Sequence, residues 1–127
     1  MDDTLQTKAL ELGRLLDDHH GMNVVVMDMR ALNFWTDFFV IATVTSNTHL
    51  LGLERHIKEF VREEGLEILH RSRKPERDDE WSLLDLGGIV IHLMTARTRQ
   101  FFELERLWNA APLICISQGA GTTGKEI

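Results

Sequence analysis

The sequence predicts an α/β fold in which helices flank a mixed β-sheet. Three observations carry that prediction. Apolar residues recur at three- and four-residue steps in three segments, and short β-branched or apolar runs lie between them. A strand, helix, strand step between residues 38 and 70 suggests a crossover with parallel pairing. A later pair of runs meets at Gly87-Gly88, a hairpin signal that calls for antiparallel strands.

The elements follow in order. Leu5, Ala9, Leu12 and Leu16, widened by Leu15, give residues 4–19 one apolar face, with Thr4 as N-cap and Gly21 as the stop. Residues 23–29 are too short and too β-branched for a helix and read as a strand. Asn33 and Asp37 are turn formers in the bridge to a second strand at 38–45. Ser46, Asn47 and Thr48 then cap a helix whose stripe is Leu50, Leu53, Ile57, Phe60 and Val61, ended by Gly65. Residues 66–70 read as a third strand. The charged stretch Arg71 to Glu80, with Pro75, reads as a loop. Strands follow at Trp81–Leu86 and Ile89–Met94. A last helix at 99–108 has Phe101, Leu104, Leu107 and Trp108 on one side, Thr98 as its cap and Pro112 beyond its end. A single domain at 1–112 and a flexible tail at 113–127, with three Gly and two Thr in its polar part, complete the organisation.

Composition narrows the function. The chain has 127 residues, which suits one domain, since these commonly run about 100–150 residues. Twenty acidic residues against 14 basic ones leave a net charge of -6. That balance argues against a broad phosphate-neutralising surface for naked nucleic acid, but not against a basic protein partner. Cys115 is the one cysteine, so no internal disulfide forms. The apolar runs fall far short of the ~20 residues of a membrane span, and Met1-Asp2-Asp3 resembles neither a signal peptide nor a transit peptide. A cytoplasmic location without membrane contact is the expectation.

The usual catalytic signatures are absent. The chain has no phosphate-binding G-x-x-x-x-G-K-[ST], no G-x-G-x-x-G and no G-x-S-x-G. His19 and His20 are neighbours and diverge by about 100° on a helix. His49 and His56 are two turns apart, too far to chelate directly, and no metal or cofactor is expected. Asp28 and Asp37 flank the bend between the first two strands. Two acids at strand ends are the arrangement that holds Mg²⁺ in nucleotidyl transfer, so a small nucleotidyltransferase using them is the alternative function. Its phosphate loop would be Val44-Thr45-Ser46-Asn47, which lacks a glycine for close backbone approach. Trp81 to Leu86 alternates poorly: Trp81, Leu83 and Asp85 fall on one face and Ser82, Leu84 and Leu86 on the other. A Trp beside a charged loop on an edge strand has the composition of a contact hot spot.

Four blocks, in order, resemble the ribosomal silencing factor, or Iojap, family. They are Val25-Val26-Met27-Asp28 with Thr36-Asp37-Phe38-Phe39-Val40-Ile41-Ala42-Thr43, then Trp81-Ser82-Leu83-Leu84-Asp85-Leu86-Gly87, then Val90-Ile91-His92-Leu93-Met94, and last Arg99 to Trp108. The resemblance spans about residues 5–112. It implies a fold related to nucleotidyltransferases without their catalytic constellation, and a protein that is not an enzyme. It also implies binding to the large ribosomal subunit through ribosomal protein L-fourteen, which blocks subunit joining and lowers translation, with rRNA contact at most peripheral. Carried onto this chain, the partner-binding residues are Trp81, Leu84 and Asp85. The resemblance also leaves a homodimer open. Three positions depart from the family pattern: Leu86 replaces an aromatic residue, Gly88 an acid, and Val44 a glycine.

Overall fold

Seven consecutive buried residues, Phe38–Val44, form a central strand, because such a run must be covered on both faces. The computed structural model describes residues 3–32, 36–73, 81–102 and 113–116. In chain order these form α1 (Asp3–Asp18), β1 (Met22–Asp28), a 3-10 turn (Arg30–Leu32), β2 (Phe38–Val44) and α2 (Asn47–Glu63). They continue with β3 (His70–Arg73), β4 (Trp81–Asp85), β5 (Ile89–Thr95), α3 (Ala96–Phe102) and β6 (Leu113–Ile116). The described strands make one sheet in the order β3-β4-β5-β2-β1-β6. β2 and β5 pair in parallel, and the other pairings are antiparallel.

The mixed sheet is therefore as expected, but the parallel partner of β2 is β5, not the strand that directly follows α2. That segment differs from expectation in a second way. Residues 66–69 are a connector and pairing begins at His70, inside the stretch expected to be a loop. Leu66 and Ile68 pack against the helix-side core, so their apolar character serves the return from α2. An edge strand pairs on one side only and tolerates the polar sequence His70–Arg73. The β4–β5 hairpin then reverses the chain and sets β5 alongside β2. Leu113–Ile116, expected in the tail, is the opposite edge of the sheet, with Val26 opposite Cys115. The domain thus continues past residue 112.

Helix ends explain further differences. Thr4 lies inside α1 rather than capping it. At the end of α1 the left-handed residue is His20 (φ 74°), not Gly21. The Gly21 N–H reaches the Leu16 carbonyl at 2.7 Å, and a Cβ on Gly21 would stand 2.8 Å from that same oxygen. Glycine is needed there for space. Ser46 caps α2 as expected, accepting from the His49 N–H at 3.0 Å. Gly65 (φ 71°) closes α2, with the Leu66 N–H bonded to the Val61 carbonyl at 2.9 Å. α3 starts earlier than predicted, and its cap is Thr95, which accepts from the Thr98 N–H. Asn33, Leu104, Leu107, Trp108, Pro112 and residues 117–125 lie outside the described residues.

Each sheet face has its own apolar cluster. α1 and α2 bring Ala9, Leu12, Leu16, Leu50, Leu53 and Ile57 onto Val24, Val26, Phe38, Val40, Leu84 and Ile91. The other face buries Val25, Met27, Met29, Phe39, Ile41, Val90 and Met94, with Trp81 and Leu83 at its margin. α3 joins the sheet through Arg99, which donates to the Asn23 carbonyl at 2.8 Å and to Thr43 Oγ1 at 2.9 Å.

Candidate partner-binding face

β4 is the strand on which the two faces separate most plainly. Burial alternates along it: Ser82 and Leu84 are buried, while Trp81, Leu83 and Asp85 are half-exposed. Successive strand residues point to opposite faces, so Trp81, Leu83 and Asp85 share one side over roughly 13 Å. Trp81 stands opposite Met94, and Leu83 stands opposite His92. The indole of Trp81 leans diagonally across the pair and its N–H donates to His92 Nδ1 at 3.3 Å. The Phe39 ring packs edge-on to the same imidazole, with centroids 4.7 Å apart. His92 is buried, and desolvation pushes its pKa down to about 4, which keeps the ring neutral near pH 7.

Asp85 closes the other end of the stripe. Its Oδ1 accepts the Gly87 N–H at 2.8 Å, a turn made by a side chain, and Gly87 takes φ 100°. Exposed His70 of β3 stands opposite Asp85, and neighbouring Leu69 is 60% exposed. The two departures from the family pattern at this turn have distinct surroundings. Leu86 packs onto the helix-side core. Gly88 lies beneath Leu5 of α1, where an added Cβ would come within 2.3 Å of a Leu5 methyl. Any side chain at 88 would have to displace Leu5.

The structure brings together only two of the three residues assigned to the partner. Trp81 and Asp85 share the stripe. Leu84 is 0% exposed, points to the opposite side and belongs to the helix-facing core, so it is not a surface contact. Leu83 takes its place in the stripe. Strict alternation gives this pairing from sequence. What sequence alone could not give is the Trp81–His92 bond. Its only trace is a His within the apolar run Val90 to Met94.

The alternative site fares differently. Both carboxylate oxygens of Asp28 are engaged by Arg30, through Nε at 2.9 Å and a terminal nitrogen at 2.7 Å, and this lowers the Asp28 pKa. Arg30 also reaches Gln6 Oε1 and lies over the Phe38 ring. Asp37 is held by its backbone, its N–H to the Gly88 carbonyl and its carbonyl to the Met29 N–H. In the loop after β2, the Thr45 N–H donates to His49 Nδ1, so that donor is turned inward. Val44 is buried at the end of the strand. Two of the histidines do meet: His19, just past the end of α1, stacks on His56 of α2, with centroids 3.6 Å apart. Among the described residues no group of three or more His, Cys, Asp or Glu is placed to hold a metal ion, and no helix is long and apolar enough to cross a membrane.

A six-stranded mixed sheet with α1 and α2 packed on one face, and an aromatic and acidic stripe on the other face of β4, one strand in from the edge, is the build of a small α/β protein with a candidate binding face. Comparison with known proteins makes that specific. The family model described as ribosomal silencing factor during starvation matches residues 2–126, and the chain belongs to that family. The ribosomal silencing factor of Treponema pallidum is 37% identical over 100 residues, covering 79% of this chain and 88% of that protein. The Bacillus subtilis factor is 31% identical over 105 residues, covering 81% and 86%. A mouse protein named for mitochondrial assembly of the ribosomal large subunit is 31% identical, and the match covers 74% of this chain and 42% of that protein. A crystal structure of a Chromobacterium violaceum protein superposes with a TM-score of 0.74 at 25% identity, covering 86% of this chain and 88% of that one.

Proposed function

We propose that this chain binds the large ribosomal subunit through ribosomal protein L-fourteen and, by its bulk, blocks association with the small subunit. Translation is lowered as a result, in the cytoplasm. The observation that carries the reading is the Trp81–Leu83–Asp85 stripe, which falls in a block shared with the family and lies on the sheet face opposite α1 and α2. Trp81 is the aromatic anchor, and Asp85 pairs with a Lys or Arg of the partner. Leu84 supports the strand from behind. A net charge of -6 suits a basic ribosomal protein and speeds encounter with it. Family membership supports a regulatory rather than catalytic role.

The test is co-sedimentation with purified large subunits, followed by a subunit-joining assay. Wild-type protein lowers joining in a dose-dependent way. Trp81→Ala weakens binding at least tenfold while the protein stays folded, since truncating a central anchor costs about 2 kcal/mol or more. Leu84→Ala instead lowers stability by about 2–5 kcal/mol. Unchanged joining at saturating wild-type protein overturns the reading. Sedimentation velocity of the free protein scores the homodimer.

A further inference from the structure

His92 is an expensive residue for its position. It lies on β5 between Ile91 and Leu93, is 4% exposed, and faces Leu83 and Ile41 across its two neighbouring strands. A leucine or phenylalanine there would avoid the desolvation that keeps the ring neutral. Because Nδ1 accepts from Trp81, the ring proton is assigned to Nε2, and Nε2 is buried without a hydrogen-bond partner among the described residues. A buried donor left unpaired costs about 1–3 kcal/mol. Stability alone therefore does not account for the imidazole. What it supplies is an acceptor on the face that carries Trp81, with Phe39 fixing the plane of the ring.

We infer that His92 is a positioning residue that sets the orientation in which Trp81 is presented to a partner. The bond satisfies the indole N–H within the protein and restricts the rotamers of Trp81. The side chain then loses less freedom on docking and offers its ring surface rather than an unsatisfied donor. The inference rests on Trp81 being a partner contact, as proposed above.

Two substitutions separate positioning from packing. His92→Phe keeps an aromatic ring and removes the acceptor. His92→Asn restores an acceptor, since Asn Oδ1 lies near the position of Nδ1. Nitrogen NMR follows the Trp81 indole N–H, identified by its loss in Trp81→Phe, and co-sedimentation with large subunits follows binding. We expect His92→Phe to move the indole signal, quicken its exchange with water and weaken binding about three- to tenfold, the range of one hydrogen bond. His92→Asn recovers part of each. An unchanged indole signal in His92→Phe, or a binding loss that Asn does not recover at all, overturns the inference. If His92→Phe fails to fold, the wild-type imidazole decides: a ring proton found on Nδ1 overturns it, and one on Nε2 supports it. Wild-type protein that fails to bind large subunits sinks the proposed function, while the indole and tautomer measurements still decide the positioning role.

Discussion

Ser82 donates a hydrogen bond through Oγ to Oε2 of Glu54, and both residues are buried, so β4 is tied to the middle of α2. Glu54 lies beside Leu53 and one turn from Ile57 on the buried face of that helix. A buried carboxylate is tolerated only where donors are supplied to it. The residue immediately before Ser82 is Trp81, on the opposite face of the same strand. The link therefore anchors the candidate stripe from behind.

Removing that donor should cost stability without touching the stripe. Ser82→Ala is expected to lower the unfolding free energy by roughly 1–3 kcal/mol, read from urea denaturation. Binding of the folded variant to large subunits stays at the wild-type level. Loss of binding with full stability would contradict this division between the two faces of β4.

His92 makes stability depend on pH, and the sign follows from its burial. The folded ring titrates near pH 4, whereas an unfolded histidine titrates near pH 6.5. Between those values the unfolded chain binds a proton that the folded protein does not. The contribution is complete above about pH 6.5 and is lost as pH falls toward 4, at about 1.4 kcal/mol per pH unit and about 3 kcal/mol in all. Urea midpoints across this range should fall more steeply for wild type than for His92→Phe. Parallel curves would remove His92 as the cause.

Two neighbouring residues at the end of α1 should respond oppositely to substitution. His20 has φ 74°, a conformation that suits glycine, so His20→Gly is expected to gain about 0.5–1 kcal/mol. Gly21→Ala drives a methyl against the Leu16 carbonyl, a backbone atom that cannot move aside cheaply, and is expected to lose about 1–3 kcal/mol. Thermal melts of the two variants check both signs.

The same pair shows where sequence reasoning reached its limit. A glycine after a helical stripe was legible as a stop. Which of two adjacent residues takes the left-handed conformation depended on a carbonyl four to five residues back. Helical stripes such as Leu50, Leu53 and Ile57 were legible because burial imposes their spacing. The partner of β2 was not, because parallel pairing with β5 depends on where the intervening β3 and β4 settle. Leu84 is a partner residue by family resemblance alone, and the structure buries it. Its own alternation with Trp81 and Asp85 already placed it on the other side. The Trp81–His92 and Ser82–Glu54 bonds join residues 11 and 28 positions apart, and no local pattern announces them.

Asp85 has two roles that one substitution can divide. Oδ1 holds the Gly87 N–H and so shapes the hairpin turn. In the proposed function its charge is the part offered to a basic partner. Asp85→Asn keeps an oxygen at the Oδ1 position and removes the charge. It is expected to leave the unfolding free energy within about 0.5 kcal/mol of wild type, as surface substitutions usually do. It should weaken binding to large subunits several-fold at low salt, through a slower association rate, and the deficit should shrink as salt rises and screens the pair. Asp85→Ala removes both roles and should lose stability as well, by about 1 kcal/mol for the missing turn bond. Stopped-flow association at two salt concentrations, beside urea melts of both variants, checks this. An Asn variant that binds like wild type at low salt would remove Asp85 from the contact and leave it as a turn residue alone.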